Sequence, residues 1–453
     1  ENWMERFLIS LEDNSHIVDT TTFSQAFHNS SSRGRIYLPT SSYFEMGEWT
    51  LTPKSSEEYN LVNSAVDSIE NMNGRSYVKG GFWRNFLTKY DESNWMLKRA
   101  NAVSANLPEN ASSSARESSW KAQCNCAYWH GVFGGLYLPH LRHALYSNLI
   151  AAEKSINYEP VEEIDIDHDG KKEIILSGKS IRLFLTCKGG AIREMDFLPA
   201  DFNLINTLSR YEEYYHKKLH ELNNGKKSSG TASIHDLVQT KEDGLENFLH
   251  YDKNHRWSFM DHFFKIDTTL DELYSGSFED IGDLPNQYYT RNIQNGDVDF
   301  NHSADILQSQ IEICKNVKLE DNKIKLQVSI TNNGNEFLHI RYGCEFNISL
   351  LGGHSFDRYY LVDGQKPVDP YLDSKDSFTA KTISLVTEWE KIKTNIILPK
   401  TTSVFRYPVE TISMSEGGFE RIYQSSVVVP NWELKLAPGD KFKTTIELVT
   451  KEL

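Results

Sequence analysis

The chain has 453 residues, enough for two or three domains of roughly 150 residues each, and 39% of them are hydrophobic. Its 48 Lys and Arg residues stand against 63 Asp and Glu residues, which gives a net charge of −15. This balance excludes a general nucleic-acid binder, because such a protein needs a basic face for the phosphates. No apolar run approaches the roughly 18–20 residues of a membrane span, so we expect no membrane partner.

Residues 1–157 are predicted to be mainly helical. Within 56–72, apolar residues recur at three- and four-residue steps, which indicates a helix. A second helix is predicted to start at Pro139, since the first turn of a helix does not need the N–H that proline lacks. The Ser- and Asn-rich segment 104–119 is predicted to be a loop or a poorly ordered helix end.

Residues 158–453 change to a period of two. Apolar residues alternate with polar ones around Ile181, Ile324, Trp432 and Phe442, which predicts strands buried on one face, as in antiparallel sheets. The expected fold class is therefore α+β, with a helical region at 1–157 followed by a large antiparallel β-sandwich at 158–453.

The segment 165–173 has the spacing of a calcium loop. Carboxylates at alternate positions can converge on one hard cation, and Gly170 permits the sharp turn that this requires. The alternative is a solvated acidic turn. We predict a structural Ca²⁺ at the junction of the helical part and the sandwich, and its ligands would be Asp165, Asp167, Asp169, the carbonyl of Lys171 and Glu173.

Aromatic and polar residues concentrate in segments 37–49, 80–86, 92–95 and 122–135. Flat aromatic faces can stack on sugar rings while carboxylates and amides bind the hydroxyls. For Trp83, Phe86 and Trp95 we favour a place in the core. For Trp49 and Trp129, core packing and sugar contact are equally open.

Two further residue groups have weaker patterns. Cys124, Cys126 and His130 lack the second Cys/His pair of a structural zinc site, and nothing positions the imidazole for nucleophilic catalysis. A polar set in the second half is interpreted as satisfied buried or loop groups, with contacts to another domain or to a sugar as the alternative: Arg210, Glu213, Tyr215, His216, His235, Asp236, Asp261 and His262.

The aromatic segments, read together, resemble glycoside hydrolase family 57, and most closely its 4-α-glucanotransferase and α-amylase branch. The matching blocks are Ser42-Tyr43-Phe44-Glu45-Met46 with Glu48-Trp49, Gly80-Gly81 with Trp83, and Ala122-Gln123-Cys124-Asn125 with Ala127-Tyr128-Trp129-His130-Gly131. The likeness continues through 165–173, 233–235, 261–263 and 413–416, so it spans nearly the whole chain in order.

The resemblance implies a retaining enzyme that acts on α-1,4-glucans through a Glu nucleophile and an Asp acid/base. It also implies three consecutive pieces, namely an incomplete (β/α) barrel, a helical segment and a β-sandwich of the galactose mutarotase-like type. The motifs that hold both catalytic carboxylates belong to the barrel and do not occur here, so we expect no catalytic residue in this chain. Since Glu1 is not preceded by Met, we expect either a removed leader or a C-terminal fragment that would be inactive alone.

By the same resemblance, Glu45, Trp49, Trp129 and His130 are the expected substrate-binding residues. Cys126 stands where the family pattern usually has Asp, and a thiol cannot replace a carboxylate in binding a sugar hydroxyl. The expected partners are an α-glucan or maltooligosaccharide and the missing barrel. Two alternatives are a carbohydrate-binding or scaffolding module without a catalytic parent, and a mutarotase-type sandwich enzyme.

Five cysteines, of which only Cys124 and Cys126 lie close in sequence, do not form a disulfide framework. A reducing compartment is the simpler interpretation, and a cytoplasmic location is predicted.

Overall fold

The computed structural model describes residues 2–32, 34–38, 41–223, 240–415 and 417–453, with the backbone alone at 220–223. The segment 233–235 and residues Asp236 and Glu416, singled out above, lie outside the described residues. The chain divides into two compact units, Glu1–Ser41 and Ser42–Leu453.

Helices dominate the first third of the chain. The described α-helices are α1 (Asn2–Asp13), α2 (Phe23–Asn29), α3 (Phe44–Trp49), α4 (Pro53–Asp67), α5 (Asn85–Lys89), α6 (Asp91–Asn106), α7 (Ser113–Lys121), α8 (Pro139–Glu153), α9 (His216–Asn223) and α10 (Leu270–Ser275). Short 3-10 helices span Gly74–Tyr77, Asn125–Tyr128, Gly135–Tyr137, Leu198–Ala200, Leu245–Phe248 and Leu284–Asn286. Among these described helices, none is both long and apolar enough to cross a membrane.

Strands dominate the rest of the chain. They are β1 (Val161–Ile164), β2 (Glu173–Ser177), β3 (Ile181–Thr186), β4 (Ala191–Phe197), β5 (Phe202–Asn203), β6 (Met260–Phe264), β7 (Thr290–Gln294), β8 (Asp297–Ile306), β9 (Ser309–Glu320), β10 (Lys323–Asn332), β11 (Leu338–Ile348), β12 (Arg358–Val362), β13 (Asp376–Thr387), β14 (Ile392–Ser415), β15 (Gly418–Leu436) and β16 (Lys441–Glu452).

The strands form two antiparallel sheets. The first has the order β1-β2-β3-β4-β5, and the second runs β6-β11-β15-β14-β16-β10-β9-β8-β7, with β13 pairing to β14 and β12 to β13. One apolar core joins the inner faces of both sheets, from Ile174 and Leu183 to Leu326 and Ile446. The predicted α+β class with a large antiparallel sandwich is confirmed.

The strands β2 to β4 of the first sheet are buried on both faces, which corrects the sequence expectation of one buried face. Every residue of β3 is buried. Leu183 and Leu185 face the second sheet, while Phe184 between them packs with the helices. The alternation predicted the strand correctly, but it could not show that helices cover the other face.

The N-terminal helices of the second unit follow local sequence signals. Pro139 occupies the first turn of α8, as predicted, and Leu145 and Leu149 are buried. The segment 104–119 is not simply a loop, because α6 extends to Asn106 and α7 begins at Ser113. The hydroxyl of Ser112 caps α7 by accepting a hydrogen bond from Ala115 N at 3.1 Å, and Ser is a favoured residue for this position.

Helix α4 confirms the first two thirds of the helix predicted within 56–72, since it ends at residue 67, and its apolar stripe faces outward. Leu61 is 68% exposed and Val62 is 48% exposed, whereas Ser56, Tyr59 and Asn63 are buried. A contiguous exposed apolar face of this kind is typical of a surface that meets another protein surface.

A buried charge cluster joins the helices to the first sheet. Arg99 of α6, which is 1% exposed, donates from Nη1 to Glu153 Oε1 of α8 at 2.7 Å and from Nε to Glu194 Oε1 of β4 at 3.0 Å. Helix α8 ends at Glu153 and β1 begins at Val161, so helices give way to strands close to position 157. As a domain boundary, 157/158 stays a prediction.

Candidate functional site

A cleft of about 450 Å³ opens where the helices meet the far end of β14 and the start of β15. Its walls come from α3, α4, α5, α9 and the two strands, and the residues that line it are Phe44, Glu45, Glu48, Trp49, Leu51, Ser56, Lys89, Val132, Glu213, Tyr214, Tyr215, Lys218, Met414, Ser415, Gly418 and Phe419. It therefore contains Glu45 and Trp49, two of the four predicted substrate-binding residues.

Close backbone packing fixes α3 beside the cleft. Gly81 N donates to Gly47 O at 2.9 Å. A Cβ on Gly80 would lie 2.4 Å from Gly47 O, a distance that only glycine avoids. In addition, Trp83 N donates to the Ser42 hydroxyl at 2.9 Å. Residues 80–83 therefore hold the backbone both just before α3, at Ser42, and within α3, at Gly47.

His130 lies behind Trp49 and is completely buried. Its Nδ1 is 3.0 Å from Gly134 O, which can only accept, so Nδ1 carries the proton and Nε2 accepts from the Tyr215 hydroxyl at 2.9 Å. Burial lowers the pKa of His130 to about 4, which keeps the ring neutral near pH 7. The Trp49 ring packs edge-on against it at 4.9 Å between centroids. In this geometry His130 supports Trp49 and Tyr215 from behind.

Glu213 forms a buried polar centre at the floor of the cleft. Its Oε2 accepts from Lys89 Nζ at 2.8 Å, and its Oε1 accepts from the hydroxyls of Tyr90 and Tyr137 at 2.5 and 2.7 Å. Burial alone would raise the pKa of Glu213, but the charge and hydrogen bond of Lys89 outweigh it and hold the pKa below its ordinary value. Lys89 also donates to Trp49 O at 3.2 Å, which ties the centre to α3.

Glu45 differs from Glu213 in its surroundings. Within the part of the chain that the structure describes, Glu45 Oε1 is buried and has no hydrogen-bond partner. Leaving a buried acceptor without a hydrogen bond costs about 1–3 kcal/mol of folding free energy, and more if the group is charged. Because Glu45 also lines the cleft, a small rotation of its side chain would bring this oxygen within reach of a donor there.

Trp129 lies beside the cleft and is half-buried. Its ring packs against Phe86 at 6.2 Å and against Tyr43 at 6.3 Å between centroids. Its carbonyl accepts from Leu136 N at 2.8 Å. Gly135 has φ 49°, and a Cβ there would lie 2.1 Å from the same carbonyl, so glycine is required to hold the 129–136 turn.

The two exposed cysteines that precede this turn, Cys124 and Cys126, do not form a site with His130. Both His130 nitrogens are taken by Gly134 and Tyr215, and Cys126 Sγ lies 3.7 Å from Asn125 Oδ1. In the described residues all five cysteines are unpaired.

The acidic loop 165–173 connects β1 to β2. Three of the five predicted ligands converge, since one carboxylate oxygen from each of Asp165, Asp167 and Glu173 lies within 4.8 Å of the others. Asp169 instead accepts from Lys171 N at 2.7 Å, and the Lys171 ammonium lies 3.5 Å from the centre of the Tyr288 ring. His168 and Gly170 adopt positive φ, which folds the loop back on itself.

The charge of this loop is only partly balanced. Arg193 Nη1 contacts Asp167 Oδ2 at 2.7 Å, but the same guanidinium also binds Asp91 of α6 at 2.9 Å. Burial raises the pKa of Glu173 to about 7. Three converging carboxylates form an oxygen-rich ligand set of the kind that binds a hard divalent ion. Since Arg193 balances their charge only in part, the residues fit Ca²⁺.

The polar set named from the sequence divides among separate places. Glu213 and Tyr215 reach the cleft. Elsewhere Arg210 pairs with Asp252 at 2.6 Å, His262 with Asp280 at 2.7 Å, and Asp261 with Lys315 at 2.9 Å. In these last three pairs the side chains are buried or nearly so, and none of them lines the cleft.

Comparison with known proteins now gives the family. A model described as "Alpha-amylase/4-alpha-glucanotransferase, C-terminal" matches residues 165–446, and a second, described as the middle domain of the same family, matches 81–156. The chain belongs to the alpha-amylase/4-alpha-glucanotransferase family. This confirms the family that the sequence segments predicted.

Individual relatives of the family agree. Alpha-amylase 1 of Dictyoglomus thermophilum is 35% identical over 100% of this chain and 66% of its own length. The 4-alpha-glucanotransferase of Thermococcus kodakarensis is 30% identical over 94% of this chain and 61% of its own length. The crystal structure of the 4-alpha-glucanotransferase of Thermococcus litoralis superposes with a TM-score of 0.77 and 27% identity, over 96% of this chain and 61% of that one. The chain thus spans about two thirds or less of the length of these relatives.

Proposed function

We propose that this chain is the glucan-holding portion of a retaining enzyme that acts on α-1,4-glucans, either a 4-α-glucanotransferase or an α-amylase. The observation that carries the proposal is the cleft, which Glu45 and Trp49 line from the same short helix. Among the described residues, one buried carboxylate oxygen of Glu45 has no hydrogen-bond partner. The names of the relatives support the substrate class. The catalytic Glu and Asp of the retaining scheme would be supplied by a barrel upstream.

The cleft offers both kinds of contact that a glucose ring needs. Trp49, Phe44 and Phe419 provide apolar surface for the ring faces. Glu45 and Glu48 accept hydrogen bonds from hydroxyls, and Lys218 donates. The Glu213 centre and His130 hold Trp49 in place from below, so that little ordering of this ring is required when a sugar binds.

Calorimetric titration of the 453-residue chain with maltoheptaose tests this assignment. Trp49→Ala should weaken binding about tenfold, the equivalent of about 1.4 kcal/mol, and Glu45→Gln should weaken it by a similar factor because a charge-assisted hydrogen bond is lost. Trp120→Ala and Glu117→Gln, both on exposed positions of α7, are the matched controls. Equal affinity in the cleft variants and the controls would place the glucan elsewhere.

We further propose that the exposed face of α4 packs against the catalytic barrel of the same polypeptide. Leu61 and Val62 would be covered there, together with Ile69 just beyond the end of the helix, which accounts for the apolar side chains that the described residues leave in solvent. The coding sequence immediately upstream of the Glu1 codon tests this directly. A reading frame without a barrel would favour the alternative, a non-catalytic carbohydrate-binding or scaffolding module.

The chain alone should not turn over maltooligosaccharides, because neither barrel motif is part of it. A disproportionation and hydrolysis assay on residues 1–453 checks this. Real turnover, absent from a Glu45→Gln/Trp49→Ala variant, would mean that this portion carries its own catalytic groups. We also propose a cytoplasmic location, which the five unpaired cysteines support.

We also propose that the acidic loop binds a structural Ca²⁺ through Asp165, Asp167 and Glu173, with Asp169 and the Lys171 carbonyl as further ligands after a local adjustment. Convergence of three carboxylates within 4.8 Å supports it. The ion would offset the burial and the neighbouring charge of Asp167, both of which disfavour the ionised form of Glu173. It would also fix the loop beside the Arg193–Asp91 contact that joins the sheet to α6.

A further inference from the structure

Two aromatic side chains stand in solvent at the end of the sandwich where β14 begins. Phe356 is 87% exposed and Trp389 is 80% exposed. Phe356 is a central residue of a tight turn in which Arg358 N donates to Ser355 O at 3.2 Å. Trp389 lies in the short connection between the end of β13 at Thr387 and the start of β14 at Ile392.

The two turns are neighbours in the sheet. Pairing of β12 with β13 ends with Arg358 opposite Thr387, and Glu388 N donates to Asp357 O at 2.9 Å, which extends the ladder by one position. One position further along the two strands, Phe356 lies on the β12 side and Trp389 on the β13 side. The backbone therefore presents both rings from adjacent positions.

Arg358 braces the two turns. Its guanidinium contacts Asp357 Oδ2 of the first turn at 3.0 Å and Glu390 Oε1 of the second at 2.8 Å, while its Nε donates to Leu350 O at 2.8 Å. The Thr387 hydroxyl also donates to Glu390. The exposed rings are thus carried by a fixed platform, and fixed aromatic groups bind with a small loss of conformational entropy.

Hydrogen-bonding groups flank the rings. Glu388, next to Trp389, accepts from the Tyr359 hydroxyl at 2.8 Å through Oε1, and the Lys366 ammonium lies 3.5 Å from the centre of the Tyr359 ring. Both an acidic and a basic side chain lie here, so neither sign of charge dominates and the surface suits a neutral ligand with apolar faces and hydroxyl edges. A pyranose chain has that chemistry.

We propose that Phe356, Trp389 and Glu388 form a second, non-catalytic binding site for an α-1,4-glucan chain. The choice of glucan rests on the function proposed above. Exposed aromatic surface on a soluble protein marks an interaction site, and of the possible occupants a glucan uses both the rings and the hydroxyl-binding rim. We call this surface the aromatic platform.

Strand β14 connects the platform to the cleft. It runs 24 residues from Ile392, beside Trp389, to Ser415 in the cleft wall. At about 3.3 Å per residue its contour length is about 75 Å. A long glucan that is held at the platform would stay near the enzyme, which raises its effective concentration at the cleft for polymers more than for short oligosaccharides.

Affinity electrophoresis of the 453-residue chain in gels that contain amylose tests the platform. The unmodified chain should be retarded, Phe356→Ala/Trp389→Ala should show apparent binding at least about tenfold weaker, and Arg358→Met, which keeps both rings, should give an intermediate loss. Trp120→Ala removes a tryptophan that is 70% exposed on α7 and is the matched control, with unchanged retardation expected. Thermal melting of each variant checks that the fold is intact.

The outcomes separate the two proposals. If Trp49→Ala abolishes retardation and the platform variant does not, the platform is wrong while the cleft assignment stands. An unmodified chain that is not retarded also overturns the platform, and the cleft is then judged by its own titration with maltoheptaose. If the platform variant changes the mass in gel filtration without changing retardation, the surface binds a second copy and the glucan assignment fails.

Discussion

Two buried acidic places in this molecule are built in opposite ways. Glu213 has a cation and two phenol hydroxyls on its two oxygens. The loop of Asp165, Asp167 and Glu173 brings three carboxylates together. Among the described residues the cation that pairs with them is Arg193, which is shared with Asp91. The first centre is complete within the protein and can hold the cleft in shape. The second is short of positive charge, which is the condition under which a metal ion contributes most.

The strongest way to break the complete centre is to remove its carboxylate. Glu213→Ala leaves Lys89 buried without its partner and should lower the free energy of unfolding by about 3–5 kcal/mol. Denaturant unfolding measures this. The double variant Glu213→Leu/Lys89→Met should recover much of the loss, since an apolar pair can replace a buried ion pair. A loss below about 1 kcal/mol for Glu213→Ala would show that the centre is not structural.

A second way to disturb the region around Glu213 is to protonate the neighbouring His130 by lowering the pH. The pKa of His130 is about 4 in the folded chain against about 6.5 unfolded, so the unfolded state takes up the proton first as the pH falls. Stability should therefore decline from pH 6.5 and have lost about 3 kcal/mol by pH 4 from this residue alone.

His130→Gln should remove that part of the acid dependence, whatever its effect at pH 7. Unfolding curves at several pH values between 4 and 7.5 measure the difference between the two proteins. Parallel pH profiles for the unmodified chain and His130→Gln would contradict the assignment of a buried neutral imidazole.

The acidic loop should respond to an ion rather than to the loss of a partner. Calcium at 100 times its dissociation constant should stabilise the metal-stripped chain by about 2.7 kcal/mol, and a chelator should reverse the rise in melting temperature. Asp167→Asn should lose this response, while Asp271→Asn, an exposed carboxylate far along the chain, should keep it. Identical melting curves with and without calcium would remove the loop from the list of metal sites.

The smallest effect is expected at an ion pair that resembles Lys89–Glu213 only in composition. Lys217 Nζ lies 2.7 Å from Glu57 Oε2, but the two side chains are 47% and 53% exposed. Water and salt screen such a pair, so Lys217→Met should not change the melting temperature measurably. A clear decrease would mean that exposure does not separate the two pairs.

Local patterns were enough to predict much of the fold. Pro139 marked the start of a helix, and the alternation around Ile324 marked β10, because each signal lies within a few neighbouring residues. The pattern within 56–72 predicted α4, yet it could not show that Leu61 and Val62 face outward, since the partner of a helix face is not encoded in the helix.

The candidate site could be predicted less completely than the fold, because long-range contacts assemble it. Glu45 and Trp49 were identified through the family resemblance, and they lie together on α3. Glu213 was noted only as one of several polar residues, because its partners Tyr137 and Lys89 lie 76 and 124 positions away. The pairing of the turns around Phe356 and Trp389 is equally distant from any sequence signal, since Arg358 and Glu390 are 32 positions apart.

The buried charge cluster around Arg99 affects where the gene for such a protein can be divided. The two family models leave a gap between 156 and 165, which makes this junction a natural place to cut the gene. A polypeptide that begins there would lose Arg99 and Glu153 together, and Glu194 and Asp196 would lose their cation and the helices that bury them. Recombination at this point would produce a sandwich that needs a new cover for its first sheet, so we expect the helices and the sandwich to be exchanged between genes as one block.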